Sequence, residues 1–351
     1  MQARILHWSI PITKLLPKMH RREYCQYLLL TQINHTVTYF AEHRQIWSHD
    51  TIRDFLKEDE VKPSDLWQRV KGEIIPSPFG YILFDDTVLD KNYSKKISLV
   101  RRQWSGNTKS IIRGIGVVSC IYVNPETNQF WVMDYRLYDP DGDGKTKIDH
   151  VEEMLAHTIT YKRLDFTTVL MDSWYAVTSL FKQIEKAGKL FYCPVKSDRL
   201  VDDTNDAEAH KGVAKLAWTT NEQEHGKIVH LKTMPKGHRM KLFRLVLSPE
   251  RTDYIVTNDM AQDSTNAVKE IVGIRWKIEQ FFRETKQLTG IERCQCRLAR
   301  IQRNHIGCAL LVWNCLKKNA YATGKTVYEL KYRLLDDYMK QQLAHPTILF
   351  S

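Results

Sequence analysis

The order of apolar runs between residues 81 and 196 limits the fold of this chain more than any other feature of its sequence. Three strand-like runs come first, at residues 81–84, 111–123 and 129–138, and a helix-like segment follows at 150–160. A fourth strand, a second helix and a fifth strand complete the series, at 167–171, 174–186 and 190–196. Strands that alternate with helices bury a sheet beneath helical layers. The pattern therefore predicts an α/β fold with a mixed sheet.

Two aspartates stand where strands of this sheet are expected to end. Asp85 follows the first run and Asp172 follows the fourth, and open α/β sheets place their sites at the carboxyl ends of strands. Three strands, then helix, strand, helix and strand, is the order of an RNase-H-like core. Because adjacent strand residues face opposite sides of a sheet, only one of Asp85 and Asp86 is expected to point into the site.

A third carboxylate, Glu279, lies in a segment at 271–287 whose spacing predicts one amphipathic helix. The apolar side of this helix carries Ile271, Ile274, Ile278 and Phe281. The neighbouring side carries Arg275, Glu279, Arg283 and Lys286. Ordinary salt bridges on a helix surface would explain this polar side taken alone.

Asp85, Asp172 and Glu279 together are the candidate catalytic and metal-binding residues. Two carboxylates at each ion, with one shared, would hold two divalent metals about 3.5–4 Å apart, as phosphoryl transfer with two metals requires. The cations beside Glu279 would hold phosphates rather than read bases.

The chain resembles the DDE transposases of bacterial insertion sequences, of the insertion sequence four superfamily type, over residues 81–286. That family has Asp-x-Thr after its first core strand, matched by Asp85-Asp86-Thr87, and a second aspartate after a later strand, matched by Asp172. Its third signature is Tyr, two residues, Arg, three residues, Glu, six residues, Lys. Arg275, Glu279 and Lys286 fit this spacing, but Val272 stands at the position of the tyrosine.

The resemblance implies metal-dependent DNA cleavage and strand transfer by cut-and-paste, catalysed by Asp85, Asp172 and Glu279. It implies two Mg²⁺ ions as cofactors, with Mn²⁺ as a substitute, and double-stranded DNA as partner, both the terminal inverted repeats of the element and the target. A homodimer on DNA is expected because both element ends must be cut together. The presence of Val272 leaves open whether a DNA hairpin intermediate forms.

Four residues are predicted to contact DNA. Arg275, Arg283 and Lys286 lie beside Glu279, and Trp218 lies in a strand-rich segment where it could stack on a displaced base. A tryptophan buried in the core is the alternative for Trp218.

The chain is predicted to consist of five parts. A helical DNA-binding domain spans 1–75, the first part of the RNase-H-like core 76–199, a β-strand insertion 200–262, the catalytic helix 263–290 and a C-terminal helical region 291–351. The N-terminal helices suit either a helix-turn-helix module or a plain helical bundle, and Ser48 is expected to cap one of them.

A formal net charge of +11 suits a polyanionic partner, although DNA, RNA and anionic lipid all satisfy this criterion. No run of about 18 apolar residues predicts a membrane span, and the N-terminus lacks the apolar core of a signal peptide. The seven cysteines contain no Cys-x-x-Cys pair, so neither a zinc site nor a disulfide framework is expected. These features predict a protein that is not exported, and the resemblance implies a cytoplasmic, nucleoid-associated protein of a bacterium.

Two other functions are compatible with parts of the sequence. A non-catalytic DNA-binding protein derived from a transposase would use the basic surface, but the three intact carboxylates argue against it. An RNase-H-like nuclease without strand transfer would explain the carboxylates, but it leaves the spacing of Arg275 and Lys286 to coincidence.

Overall fold

The computed structural model of the chain describes residues 18–94, 96–106, 108–204 and 210–347. Residues 1–17, which belong to the predicted N-terminal domain and include most of the segment tested for a signal peptide, lie outside the described residues. No helix in the described part of the chain is long and apolar enough to cross a membrane.

Four short helices precede the sheet. They are α1 (Arg21–Leu30), α2 (Val37–Arg44), α3 (His49–Glu58) and α4 (Pro63–Val70). Ser48 caps α3 as predicted, since its hydroxyl accepts a hydrogen bond from the Thr51 amide. Apolar residues at helical spacing over 22–39 predict one helix, and this prediction is wrong, because the chain forms α1 and α2 there. Asn34 and Thr36 bind nearby backbone amides with their own side chains and so interrupt it.

The predicted core strands are present. They are β1 (Tyr81–Asp90), β3 (Ser110–Asn124), β4 (Gln129–Tyr138), β5 (Thr168–Met171) and β6 (Leu190–Val195), and a strand that was not predicted, β2 (Arg101–Ser105), precedes β3. β3 pairs with β4 and β1 in antiparallel fashion, β1 pairs with β5 in parallel, and β5 pairs with β6 in parallel. The core order is thus β4-β3-β1-β5-β6, the RNase-H-like arrangement. β2 is an additional short strand beside β3.

One strand end differs from the prediction. β1 does not stop at Asp85 but continues to Asp90, because it keeps its pairing with β3 as far as Gly114. β5 does stop at Met171, which lies opposite Phe84. The chain therefore leaves the sheet at Asp172, whereas Asp85, the residue after the paired Phe84, is still part of β1.

Helices cover one face of this sheet. They are α5 (Pro140–Asp143), α6 (Lys147–His157) and α7 (Thr178–Lys186). Residues of α6 and α7 pack on Ile82 and Phe84 of β1. The second predicted helix starts later than expected, because Trp174 lies in a 3₁₀ turn at Ser173–Tyr175.

The segment at 200–262 is rich in strands, as predicted. It contains β7 (Leu200–Asp202), β8 (Lys211–Gly212), α8 (Thr220–His225), β9 (Lys227–Leu231), β10 (Met240–Ser248) and β11 (Arg251–Thr257). β11 pairs with β6, so these strands extend the central sheet, which has eleven strands among the described residues.

The C-terminal part of the chain is helical. Its helices are α9 (Thr265–Gly273), α10 (Trp276–Leu288), α11 (Ala299–Thr323), α12 (Val327–Tyr332) and α13 (Asp336–Ala344). α10 and α11 pack on the face of β1 that carries Leu83 and Leu89. The single helix expected at 271–287 is wrong, since it is divided between α9 and α10. At the junction the Arg275 amide donates to the Val272 carbonyl, a contact over three residues instead of four, and the preceding Gly273 lowers helix propensity.

Candidate carboxylate active site

Asp85 and Asp172 lie side by side on two parallel strands. Asp85 is 8% exposed within β1, and its Oδ1 accepts a hydrogen bond of 2.8 Å from the Asp86 amide. Asp172 is half-buried, and its Oδ1 accepts a hydrogen bond of 2.6 Å from the Ser173 amide at the start of the 3₁₀ turn. Each carboxylate is therefore oriented by the backbone amide of the residue that follows it.

Asp85 and Asp86 point to opposite sides of the sheet. Asp85 faces α10, where the Nη1 of Arg275 donates to its Oδ2 at 2.7 Å. Asp86 faces α6 and α7, where it accepts hydrogen bonds from Lys147 Nζ at 2.5 Å and Tyr175 OH at 2.7 Å. Only Asp85 thus contacts the part of the chain that carries Glu279.

Glu279 lies in the first turn of α10, with about a third of its side chain exposed. Its Oε1 is 3.7 Å from Nη1 of Arg275, the same nitrogen that binds Asp85. The break between α9 and α10 places Arg275 just before the first residue of α10. One guanidinium therefore bridges a sheet carboxylate and a helix carboxylate.

The three predicted catalytic carboxylates line one cavity of about 900 Å³. Asp85, Asp172 and Glu279 are far apart in the sequence, and the sheet and α10 bring them together. Asp86 also reaches this cavity from the other side of β1.

The Asp85 carboxyl is in an unfavourable place for negative charge. Burial raises its pKa to about 8, and Asp172 and Asp86 add to this effect, while the Arg275 guanidinium opposes it. Burial is thus the main reason why a charged Asp85 carboxylate is disfavoured at this place.

The carboxylates fit a divalent cation in their chemistry. Mg²⁺ prefers carboxylate oxygens, and the raised pKa of Asp85 indicates that further positive charge would be favoured there. Nevertheless, no group of three His, Cys, Asp or Glu side chains in the described ranges is gathered tightly enough to hold one ion. Arg275, between Asp85 and Glu279, supplies the positive charge instead.

None of the four residues that were predicted to contact DNA lines this cavity, although Arg275 pairs with two of its carboxylates. Lys286 donates to the Val88 carbonyl at 2.9 Å and pairs with Glu292 at 3.2 Å, which fastens α10 to β1. Arg283 is exposed, and its guanidinium carbon is 5.9 Å from the ring centre of Trp276. Trp218 is half-buried against the core.

Sequence reasoning missed several residues that line the cavity. Two are tryptophans, Trp104 and Trp174, each 61% exposed. Two are cations, Lys147 and Lys196. A third cation of the lining, Arg102, belongs to a basic segment after the first strand that the sequence predicts either to line the DNA path or to form a solvated loop. Trp174 could have been found from its position two residues after Asp172. No motif in the sequence around Lys147 or Lys196 indicates that they line the cavity.

A buried polar group fixes α10 against α11. Glu284 is 2% exposed and accepts hydrogen bonds from Trp313 Nε1 at 3.0 Å and Gln280 Nε2 at 2.6 Å. Lys317 Nζ lies 3.6 Å from the same carboxylate. Glu284 is five residues beyond Glu279 on α10, so these contacts set the rotation of α10 about its axis.

A comparison with protein families gives a match. A family model described as "Transposase DDE domain" matches residues 89–315, which is more than half of the chain. The matched range begins after Asp85 and includes Asp172 and Glu279. No curated protein matches the sequence.

Solved structures give similarities in fold. The structure of a piggyBac transposase synaptic complex with hairpin DNA has a TM-score of 0.51 and 12% identity, covering 93% of this chain and 72% of that one. Endonuclease V of Ciona intestinalis, in complex with DNA that contains an inosine, gives a TM-score of 0.30 and 9% identity over 63% of this chain and 96% of that one.

Proposed function

The chain belongs to the transposase DDE-domain family, and on that premise we propose that it is a cut-and-paste transposase of a bacterial insertion sequence. It would cleave DNA at the ends of its element and join the freed 3′-hydroxyl to target DNA. The observation that carries the proposal is that Asp85, Asp172 and Glu279 line one cavity.

In this proposal the same three carboxylates hold two Mg²⁺ ions, with Mn²⁺ as a substitute. Bound metal would lower the pKa of the attacking water or hydroxyl and stabilise the charge on the leaving oxygen. Asp85 and Asp172 sit on rigid strands, and Glu279 sits on a helix that Glu284 fixes by its buried contacts. The elements that carry the three carboxylates are thereby held in place around the cavity.

The cations around the cavity bind the DNA backbone. Arg102 and Lys196 line the same cavity as the carboxylates and can contact phosphates on either side of the cut, whereas Lys147 already pairs with Asp86. Arg275 balances the charge of Asp85 and Glu279 and is positioned to contact the scissile phosphate. The exposed Arg283 extends this basic surface along α10.

Lys286 and Trp218 are weaker candidates for DNA contact. The Lys286 ammonium already has two partners on the protein, and the Trp218 ring is packed against the core. We retain them as predictions, because each still exposes part of its side chain.

The biological setting follows from the reaction. Two element ends must be held together while both are cut, so we expect a homodimer on double-stranded DNA that carries the terminal inverted repeats. Such a protein would act in the bacterial cytoplasm, at the nucleoid.

The test is cleavage of a plasmid that carries the flanking element ends, with Mg²⁺ added or withheld. Glu279→Gln and Asp172→Asn are expected to abolish cutting while DNA binding is retained. Glu270→Gln, on the exposed side of α9, is the matched control and should cut normally. A comparison of Asp85→Asn with Asp86→Asn identifies which of the two neighbours is required.

The products distinguish the alternatives. Joined products identify a transposase, whereas cut products that are never joined identify an RNase-H-like nuclease. A native protein that binds the ends but cuts with neither Mg²⁺ nor Mn²⁺ is a non-catalytic DNA-binding protein, and the proposal is then wrong.

A further inference from the structure

A separate cavity of about 590 Å³ lies along β4, at the edge of the core sheet. Three parts of the chain enclose it, namely the start of α4, the β4 residues 134–137 with α6 and the turn after it, and the first turns of α11. Among the described residues it shares no lining residue with the carboxylate cavity. A cleft of this size at the junction of separate parts of a fold is the usual place for a small-molecule site.

The lining of this β4-edge cavity has an excess of cations. In the described part of the chain, five Lys or Arg side chains and three carboxylates line it: Lys62, Arg136, Lys162, Arg300 and Arg303, with Glu60, Asp134 and Asp143. Lys162 and Arg136 share the carboxylate of Asp134. Arg300 and Lys62 share the carboxylate of Glu60, each at 2.9 Å. Because two cations share one carboxylate in each case, the cavity can accept a further anion.

His150 is a buried polar group of the same lining. It is 2% exposed, and neither of its ring nitrogens has a hydrogen-bond partner within the described ranges. Asp143 Oδ2 lies 3.5 Å from Nε2, which is longer than a normal hydrogen bond. A buried polar group without a partner costs free energy, so a ligand that supplies an acceptor would stabilise this ring.

Aromatic rings stand beside the cations of the cavity. Trp67, His157 and Tyr161 all line it. The Tyr161 side chain is 78% exposed, and its ring centre lies 5.2 Å from that of His157. Lys162 Nζ lies 5.8 Å from the ring centre of Trp67. The cavity therefore offers a flat aromatic group a face to stack on, next to cations that suit a phosphate.

We propose that the β4-edge cavity binds a free mononucleotide. The phosphates lie against Arg300 and Arg303, which are neighbours on one side of α11, while the base stacks on Tyr161 and His150 donates a hydrogen bond to the ligand. α6 carries both His150 of this cavity and Lys147 of the carboxylate cavity. A bound nucleotide thus contacts a helix that also reaches the candidate active site. The inference goes beyond the proposed function and does not depend on it.

The experiment measures the binding of ATP that carries an N-methylanthraniloyl fluorophore to the full chain. EDTA is present, so that no divalent metal in the carboxylate cavity contributes to binding. Unlabelled ATP, adenosine and tripolyphosphate then compete with the fluorescent probe. ATP is expected to compete about tenfold better than either of the others, because only ATP contacts both the aromatic and the cationic part of the cavity.

Variants assign the binding to this cavity. Tyr161→Ala and Arg300→Gln should each weaken ATP binding about tenfold, whereas Tyr161→Phe keeps a ring that stacks and should bind like the native protein. Tyr338→Ala and Arg297→Gln are the matched controls, since both positions are exposed and line neither cavity. Glu279→Gln should also bind ATP normally, because Glu279 lines the carboxylate cavity. Thermal melts verify that each variant folds.

The inference is overturned if adenosine or tripolyphosphate competes as well as ATP, or if Tyr161→Ala and Arg300→Gln bind ATP like the native protein. Loss of ATP binding in Glu279→Gln would place the ligand in the carboxylate cavity and contradict the assignment. A saturating duplex that carries an element end should leave ATP bound, and displacement of ATP would assign the cavity to the DNA path instead. Plasmid cleavage with Mg²⁺ tests the proposed function separately, so the two failures can be told apart.

Discussion

Replacement of Glu284 by alanine should weaken the attachment of the catalytic helix to the rest of the fold. The Glu284 carboxylate is 2% exposed, and it accepts hydrogen bonds from Trp313 and Gln280. Lys317, which is 6% exposed, lies beside it. Burial lowers the pKa of Lys317, and the Glu284 carboxylate acts in the opposite direction.

The cost of Glu284→Ala follows from what it leaves behind. The Lys317 ammonium loses its carboxylate partner inside the protein, and the Trp313 N–H loses its acceptor. Removal of one member of a buried ion pair typically costs about 3–5 kcal/mol. We expect a loss of this size in the free energy of unfolding, together with weaker DNA cleavage, because α10 also carries Glu279.

The assay is urea unfolding followed by far-ultraviolet circular dichroism. Glu284→Gln keeps the shape of the side chain and should cost less than alanine. The double variant Glu284→Gln/Lys317→Met removes both charges and should recover part of the loss, because replacement of a whole buried pair by neutral groups is often nearly neutral. A cost below about 1 kcal/mol for Glu284→Ala, the value of an ordinary substitution, would refute this reasoning.

Three further predictions follow from the described contacts. Because the pKa of Asp85 is raised from 3.8 to about 8, the folded protein keeps a proton that the unfolded chain has already released between these two pH values. The free energy of unfolding should therefore fall as the pH rises from 3.8 to about 8. Asp85→Asn should remove that fall in thermal melts with EDTA, and unchanged pH dependence would contradict it. The Asn304 side chain is 1% exposed and forms hydrogen bonds with three backbone groups. Asn304→Ala should therefore lower the free energy of unfolding, measured in urea, by about 2 kcal/mol or more. The control Asn319→Ala, at an exposed position, should change it little. Arg102→Gln should weaken DNA binding and lower the slope of log affinity against log salt concentration by about one phosphate contact. The control Arg22→Gln, at a distant position, should leave this slope unchanged. Equal slopes for the native protein and Arg102→Gln would argue against Arg102 as a contact.

Much of the fold could be predicted because its signals are local. The core strands and the helices between them follow from the spacing of apolar residues along the chain, and Ser48 marked a helix start by its own hydrogen-bonding chemistry. Asp85, Asp172 and Glu279 could be selected because carboxylates at such positions in this strand order match a known spacing. That Asp85 and Asp172 lie side by side is a property of the sheet order, whereas Glu279 joins them at the cavity only because α10 packs on the sheet.

The predictions from sequence failed where contacts between residues far apart in the chain determine the local structure. The length of β1 beyond Asp85 depends on its pairing with β3, and apolar spacing at 271–287 did not reveal the turn before α10. The contacts of the Lys286 ammonium with Val88 and Glu292 were likewise not evident from spacing alone.

The sequence by itself therefore determined the order of strands and helices and the three carboxylates, because periodicity and motif spacing are carried by residues close together in the chain. Only the tertiary structure decided which way each side chain points and what it touches. It directed Asp85 toward Arg275 and Asp86 toward Lys147, packed Trp218 against the core and left Trp174 exposed beside the site. The physical reason is that burial, charge balance and pairing across the sheet depend on contacts between segments far apart in the chain.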